Sequence, residues 1–184
     1  MESEQTPPSN LYKHAATFGA IMGAVSIVLT VVFYVVSLSI LASFKFLLIM
    51  VVIGLGIVIY AGINYRTEVG GFLPYGKAFL HGFIALAVSG LIGTFFNMVL
   101  YHVVDPELPV KLTDAVIENT EEMMRNFGAP DGSIDEAMDN LRTDMPQQFS
   151  VGGLALGYCK ALIGYAVIAL ITALFVRKNV PVEM

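Results

Sequence analysis

The sequence predicts an all-α, polytopic membrane protein with four transmembrane helices and an amphipathic helical hairpin between the third and the fourth. Three observations carry this. Of 184 residues, 56% are hydrophobic and only 14% charged, with a mean hydropathy of +0.73, where a soluble domain carries about 25% charged residues. The apolar residues lie in long uninterrupted blocks rather than periodic stripes, as expected of segments solvated by lipid. The acid is gathered in one place, since eleven of the fifteen carboxylates fall between Asp105 and Asp144.

Residues 1–12 are polar and acidic with Pro7 and Pro8, which suits a disordered tail and lacks the basic region of a signal peptide. Residues 13–184 are expected to form one four-helix membrane domain. The first block, 15–41, has no charged side chain, and at about 1.5 Å per residue it exceeds the roughly 30 Å hydrocarbon core. Lys45 marks a tight hairpin before the second span, 46–65. Arg66, Glu68, Gly70, Gly71 and Pro74 then punctuate a loop leading to the third span, 78–104, which Asp105-Pro106 closes.

The fourth span, 151–176, is interrupted by Lys160. Either the membrane portion begins near Gly157 and Lys160 snorkels to the interface, or it begins near Val151 and Lys160 lies deeper, facing other helices. The first reading avoids the desolvation cost of a buried ammonium. With four spans, Lys13, Arg66, Lys77, Arg177 and Lys178 share one side. The other side has Lys45 and an acidic loop in which Lys111, Arg125 and Arg142 are outnumbered. Positive-inside counting places both termini in the cytoplasm and the segment 107–147 outside.

Within that segment, Val116, Met123, Met124 and Phe127 recur at helical spacing after Thr113, the N-cap candidate, with Gly128 as the stop. Ser133-Ile134-Asp135-Glu136 reads as a capping box opening a second helix, whose Ile134, Met138, Leu141 and Met145 share a face. The hairpin is expected to pack on its own chain, with the membrane surface or a partner protein as the other uses of its Met-rich stripe.

The single cysteine, Cys159, allows no internal disulfide, and no cofactor is expected. A net charge of -5 with scattered cations argues against a nucleic-acid partner. The motifs of P-loops, zinc proteases, nucleophile elbows and dinucleotide folds are absent, so no catalytic residue is expected.

What remains are polar residues in or near lipid. Lys77 and His81 share a helical face, suited to binding an anion, relaying a proton, or simply anchoring a helix end. His102 and Asp105 can pair or contribute to a metal site, which needs more ligands. Asn97 is placed to hydrogen-bond a neighbouring helix. Lys160 is the transport or proton-coupling candidate, although the four predicted spans contain no carboxylate to partner it. Asp131, Asp135, Glu136 and Asp139 lack the loop spacing of an EF-hand, so a solvated acidic face is the better reading than calcium. Gly19 with Gly23, and Gly153 with Gly157, make small-xxx-small pairs. Gly70 and Gly71 supply backbone freedom for a turn between Arg66 and Tyr75, with Tyr65 and Tyr75 in the headgroup belt and an anion nest as an alternative use of the loop amides.

The block Asn64-Tyr65-Arg66 through Gly70-Gly71-Phe72-Leu73-Pro74-Tyr75-Gly76-Lys77-Ala78-Phe79, then Gly82, resembles a bacterial membrane family known as domain of unknown function 4199. Asn97, Asp105-Pro106, Glu121-Glu122-Met123-Met124, Asp135-Glu136-Ala137-Met138 and Ala173 to Lys178 extend the likeness over nearly the whole chain. The resemblance implies an uncharacterised four-span protein of the inner membrane, typical of Bacteroidetes, and transfers no catalytic residue. Pro74 stands where that family's segment has Ser, so no side-chain hydrogen bond carries over from there. The expected function is a noncatalytic structural or interaction role, in homo-oligomers or with other membrane proteins through the acidic hairpin. The alternative is a small transporter or channel subunit using Lys160, Asn97 and His81.

Overall fold

The computed structural model describes residues 10–179. Helix α1 runs Leu11–Val36, a short α2 Leu38–Leu41, α3 Phe44–Glu68, and α4 Tyr75–Val99 with a π-helical turn Leu100–Val104. Helices α5 (Leu108–Asn126) and α6 (Asp131–Gln148) precede α7 (Val151–Val176). Four helices, α1, α3, α4 with its π turn, and α7, are long and apolar enough to cross a membrane. Only 17–22% of the most apolar window in each is buried. Val35, Val52, Phe95, Ile163 and Phe175 are each at least 65% exposed, and such surface is stable when lipid covers it. The chain is a multi-pass, all-α membrane protein.

Local chemistry explains the breaks. Helix α1 stops where Ser37 turns extended and its Oγ accepts from the Ile40 amide (3.4 Å), so the predicted single span to Leu41 is divided. Helix α3 ends in glycines at positive φ, Gly70 (94°) and Gly71 (86°), a conformation that L side chains resist. At the end of α4, the Asp105 amide reaches back to the Leu100 carbonyl (2.9 Å), and Pro106, which disfavours helix in the residue before it, prevents continuation.

By contact the chain divides into two units, and each long helix contributes to both. Among the described residues, the first comprises 10–25, Val51–Ile92 and 161–179. Its core is Met22, Val58, Leu86 and Ala169, with Tyr65, Leu73, Ala78, Ala173 and Val176 forming a second cluster. Gly19 and Gly23 lie against α4, where a Cβ on Gly19 would stand 2.6 Å from the Ala85 carbonyl oxygen and one on Gly23 3.0 Å from Ile92. This is the close approach that small residues permit. The other glycine pair behaves differently: Gly153 sits against the backbone of Gln147 and Gln148 at the α6–α7 turn, and Gly157 faces open space.

The second unit comprises Ser26–Met50 and Gly93–Lys160. Leu108 and Leu112 of α5 pack with Leu100, Tyr34, Leu38, Leu41 and Phe149. The Asn119 side-chain amide donates to the Ser39 carbonyl (3.0 Å), tying α5 to α2. Ile117, Ile134 and Met138 form the buried centre of the α5–α6 hairpin, so it does pack on its own chain.

Its details correct the expectation. Helix α5 begins at Leu108 rather than Thr113, because Pro109 suits a first turn, and Thr113 Oγ1 donates to the Pro109 carbonyl (2.8 Å) inside the helix instead of capping it. The buried face is Leu108, Leu112, Thr113 and Ile117, while Met123 is 43% and Phe127 84% exposed. Helix α6 begins at Asp131, and the Ser133 amide bonds the Pro130 carbonyl (3.0 Å), so the Ser133 capping box does not form. Gly128, at φ 74°, ends α5 as expected.

Candidate functional site

A buried polar cluster lies where the start of α1, the end of α3 and the start of α4 meet in the first unit. His14 Nδ1 is 2.8 Å from His81 Nε2, and His14 Nε2 is 3.0 Å from Asn64 Oδ1 and 3.5 Å from Glu68 Oε1. His81 is 1% exposed, the His14 side chain 9%, and Glu68 41%. Tyr65 stacks on the His81 ring (centroids 5.2 Å apart, interplanar 20°), and Phe18 stacks on His14 at 4.8 Å. Thus two of the chain's three histidines meet the one carboxylate that the four spanning helices contain among the described residues.

The partners assign the tautomers. Asn64 Oδ1 and the Glu68 carboxylate both accept, so His14 Nε2 carries its proton and His14 Nδ1 is a lone pair. His81 Nε2 must then donate to it, which leaves the proton-free Nδ1 of His81 buried without a hydrogen-bond partner. The two hydrogen bonds point the same way, from His81 to His14 and from His14 to Asn64 Oδ1, with the Glu68 carboxylate within ion-pair range of the same His14 nitrogen.

Beside the cluster, the predicted turn is tied to α7. Arg66 Nη1 donates to the Val176 carbonyl (2.9 Å) at the C-terminus of α7, where a cation also suits the helix dipole. Tyr75 Oη donates to the Leu170 carbonyl (3.0 Å), the Arg177 guanidinium lies 5.9 Å from the Tyr75 ring centre, and Leu73 and Lys178 exchange backbone hydrogen bonds (2.8 and 2.9 Å). Tyr65 is only 6% exposed and so sits inside rather than in a headgroup belt. The Gly70 and Gly71 amides bond the Thr67 (3.4 Å) and Arg66 (2.8 Å) carbonyls, which removes them from any anion nest.

A family model described as a protein of unknown function, DUF4199, matches residues 17–178. The chain belongs to this family. Neither a curated protein nor a solved structure matches it. For this DUF4199 member the match includes Asn64, Tyr65, Glu68 and His81, with His14 just outside it.

The other sequence candidates do not join the histidine cluster. Lys77, one turn before His81 on α4, is exposed. Lys160 and Asn97 belong to the second unit and line different cavities. Lys160 is exposed in one shared with Asp144, Gln147, Gln148 and Tyr101; Asn97 lines another with Thr30, Met50 and Leu112. His102 Nδ1 donates to the Met98 carbonyl (3.1 Å), whereas Asp105 accepts from Tyr34 Oη (3.0 Å) and lies 3.8 Å from Lys111. The hydrogen bond to Glu107 and the charge of Asp105 hold the Lys111 ammonium above the usual lysine range. Among the described residues no group of three or more His, Cys, Asp or Glu converges as a metal site.

Sequence reading singled out His81 but missed His14 and Glu68. A signal existed: in an up-down topology the start of the first span, the end of the second and the start of the third fall on one side. Which side chains meet there depends on helix rotation, which hydropathy does not contain.

Proposed function

We propose that this protein is a noncatalytic component of the bacterial inner membrane that presents its acidic helical hairpin, on the periplasmic side, as a contact surface for other membrane proteins or further copies of itself. The observation that carries the reading is the hairpin's construction. It has its own buried centre at Ile117, Ile134 and Met138, and it is tethered through Asn119 to Ser39. Yet it leaves Phe127 84% exposed next to the turn, with Met123 43% exposed one helical turn earlier. A large exposed aromatic at a folded tip, among carboxylates that keep the surface soluble, is a typical anchor for protein contacts.

Positive-inside counting supports the orientation, since four spans in sequence put Lys13, Arg66, Lys77, Arg177 and Lys178 with the termini rather than with the acidic insertion. For the transport alternative, Lys160 and Asn97 line two cavities whose walls share Tyr101 and Phe149.

A photo-crosslinking residue at Phe127, in intact cells, should capture a discrete protein. Deleting residues 107–147, or Phe127→Asp, should abolish that adduct, and an unchanged adduct pattern would sink the reading. For orientation, Cys159 is exposed and is first replaced by Ser. A cysteine at Asp131 should then react with an impermeant maleimide in cells whose outer membrane alone is permeabilised. Labelling only after full lysis would invert the topology.

A further inference from the structure

We propose that His81, His14 and Glu68 form a proton-binding relay, which accepts a proton at the buried Nδ1 of His81 and delivers one to the Glu68 carboxylate. The resting arrangement has both imidazoles neutral, each protonated at Nε2, and Glu68 ionised. A proton bound at His81 Nδ1 makes an imidazolium. Its Nε2 proton crosses the 2.8 Å contact to His14 Nδ1, and the His14 Nε2 proton crosses to Glu68 Oε1, 3.5 Å away. One proton enters at His81, one is gained at Glu68, and none leaves the three groups in this passage. Both rings end protonated at Nδ1, Glu68 ends as the neutral acid, and the reverse passage restores the start. The excess proton therefore has three stations, two imidazoliums and one carboxylic acid.

Geometry supports each station. An unpartnered buried acceptor is uncommon, because burying a polar group without a hydrogen bond is costly. The His81 Nδ1 lone pair has no hydrogen bond to give up when it takes a proton, and the charge so formed, which burial disfavours, has to be stabilised by the groups beside it. The Tyr65 face stacked on His81 presents the negative side of its ring quadrupole to the cation. Asn64 Oδ1, which accepts from His14 Nε2, holds that ring in register and is a positioning residue.

The groups facing the pair, element by element, are few. Helix α1 offers His14 itself; α3 offers Tyr65 and Glu68; α4 offers His81, with Lys77 exposed one turn away. The buried residues of α7 are Ala169, Thr172, Ala173 and Val176, none of which ionises. Among the described residues, Glu68 is thus the only negative group placed to stabilise the excess proton.

The test is a pH titration of full-length protein, labelled with 15N-histidine, in lipid nanodiscs. Exposed His102 serves as the internal reference. At high pH, 15N shifts should place the proton of His14 and of His81 on Nε2. On acidification the two should titrate as a coupled pair, in steps separate from His102. Glu68→Gln removes the charge at a 41% exposed position and keeps the chain's shape. It should lower the pair's first step by about one pH unit, a tenfold loss of proton affinity, and leave His102 unmoved. Two results overturn the relay: a His81 protonated at Nδ1 at high pH, or a pair whose titration Glu68→Gln does not shift. His14→Gln is the second variant, and its His81 signal should lose the coupled step; an unaltered His81 titration also counts against the relay.

Discussion

Replacing Gly19 by Leu should leave the protein in the membrane but loosen the contact between α1 and α4. A Cβ at position 19 would stand 2.6 Å from the Ala85 carbonyl oxygen and 2.9 Å from Val88 Cβ. The nearest atom belongs to the backbone, so relief requires moving a helix rather than turning a side chain. Overpacking of this kind costs about 1–3 kcal/mol or more, which in a chain of this size lowers the melting temperature by roughly 2–4 °C per kcal/mol. Insertion itself should not suffer, because leucine raises the hydrophobicity of α1. Gly56→Leu is the control, since nothing lies within 4 Å of a Cβ built there. Thermal unfolding in nanodiscs should show Gly19→Leu melting several degrees below Gly56→Leu, and equal melting temperatures would refute the close approach. The same variant should separate His14 from His81, so the coupled histidine titration should collapse with it.

Ile134→Asp should melt the hairpin while the four spanning helices persist. Ile134 is 1% exposed between Ile117 and Met138. A carboxylate there is buried without a partner, and such a charge typically costs about 3–5 kcal/mol on top of the lost apolar burial. A two-helix hairpin with three buried residues at its centre has little stability in reserve. Limited digestion with a glutamate-specific protease, read by mass spectrometry, should show rapid cleavage at Glu118, Glu121, Glu122 and Glu136, all slow in the parent protein. Asp139→Asn, at an exposed position, should leave the pattern unchanged. If Ile134→Asp is as protected as the parent, the hairpin core is not what holds the segment. The crosslink from Phe127 should disappear in Ile134→Asp, because a contact surface made by a fold is lost when the fold is lost.

Several elements were legible in the residues because they depend on composition over a length. The four spans and the acidic insertion follow from runs of apolar side chains and from the grouping of carboxylates, and Gly128 and Gly70-Gly71 mark turns because they tolerate positive φ. Errors arose where a short pattern competed with a longer-range one. Of the apolar stripe expected on α5, Met124 packs on the hairpin centre, whereas Met123 and Phe127 are exposed, and a start at Thr113 leaves out Leu108 and Leu112, which dock the helix. Ser133 matched a capping box, but Pro130 started α6 earlier. Residue type alone suggests an interfacial place for Tyr65, whereas it packs on two histidine rings.

By itself, then, the sequence determined that this is a four-span DUF4199 membrane protein with an acidic helical hairpin, because hydrophobic length and charge segregation act locally along the chain. Only the tertiary structure decided that His14 meets His81 across 67 residues and Glu68 lies beside them. Such a meeting depends on the depth and rotation of three separate helices. A shift of one residue turns a helical side chain by about 100°, so the contact is set by how glycines and core residues seat the helices together.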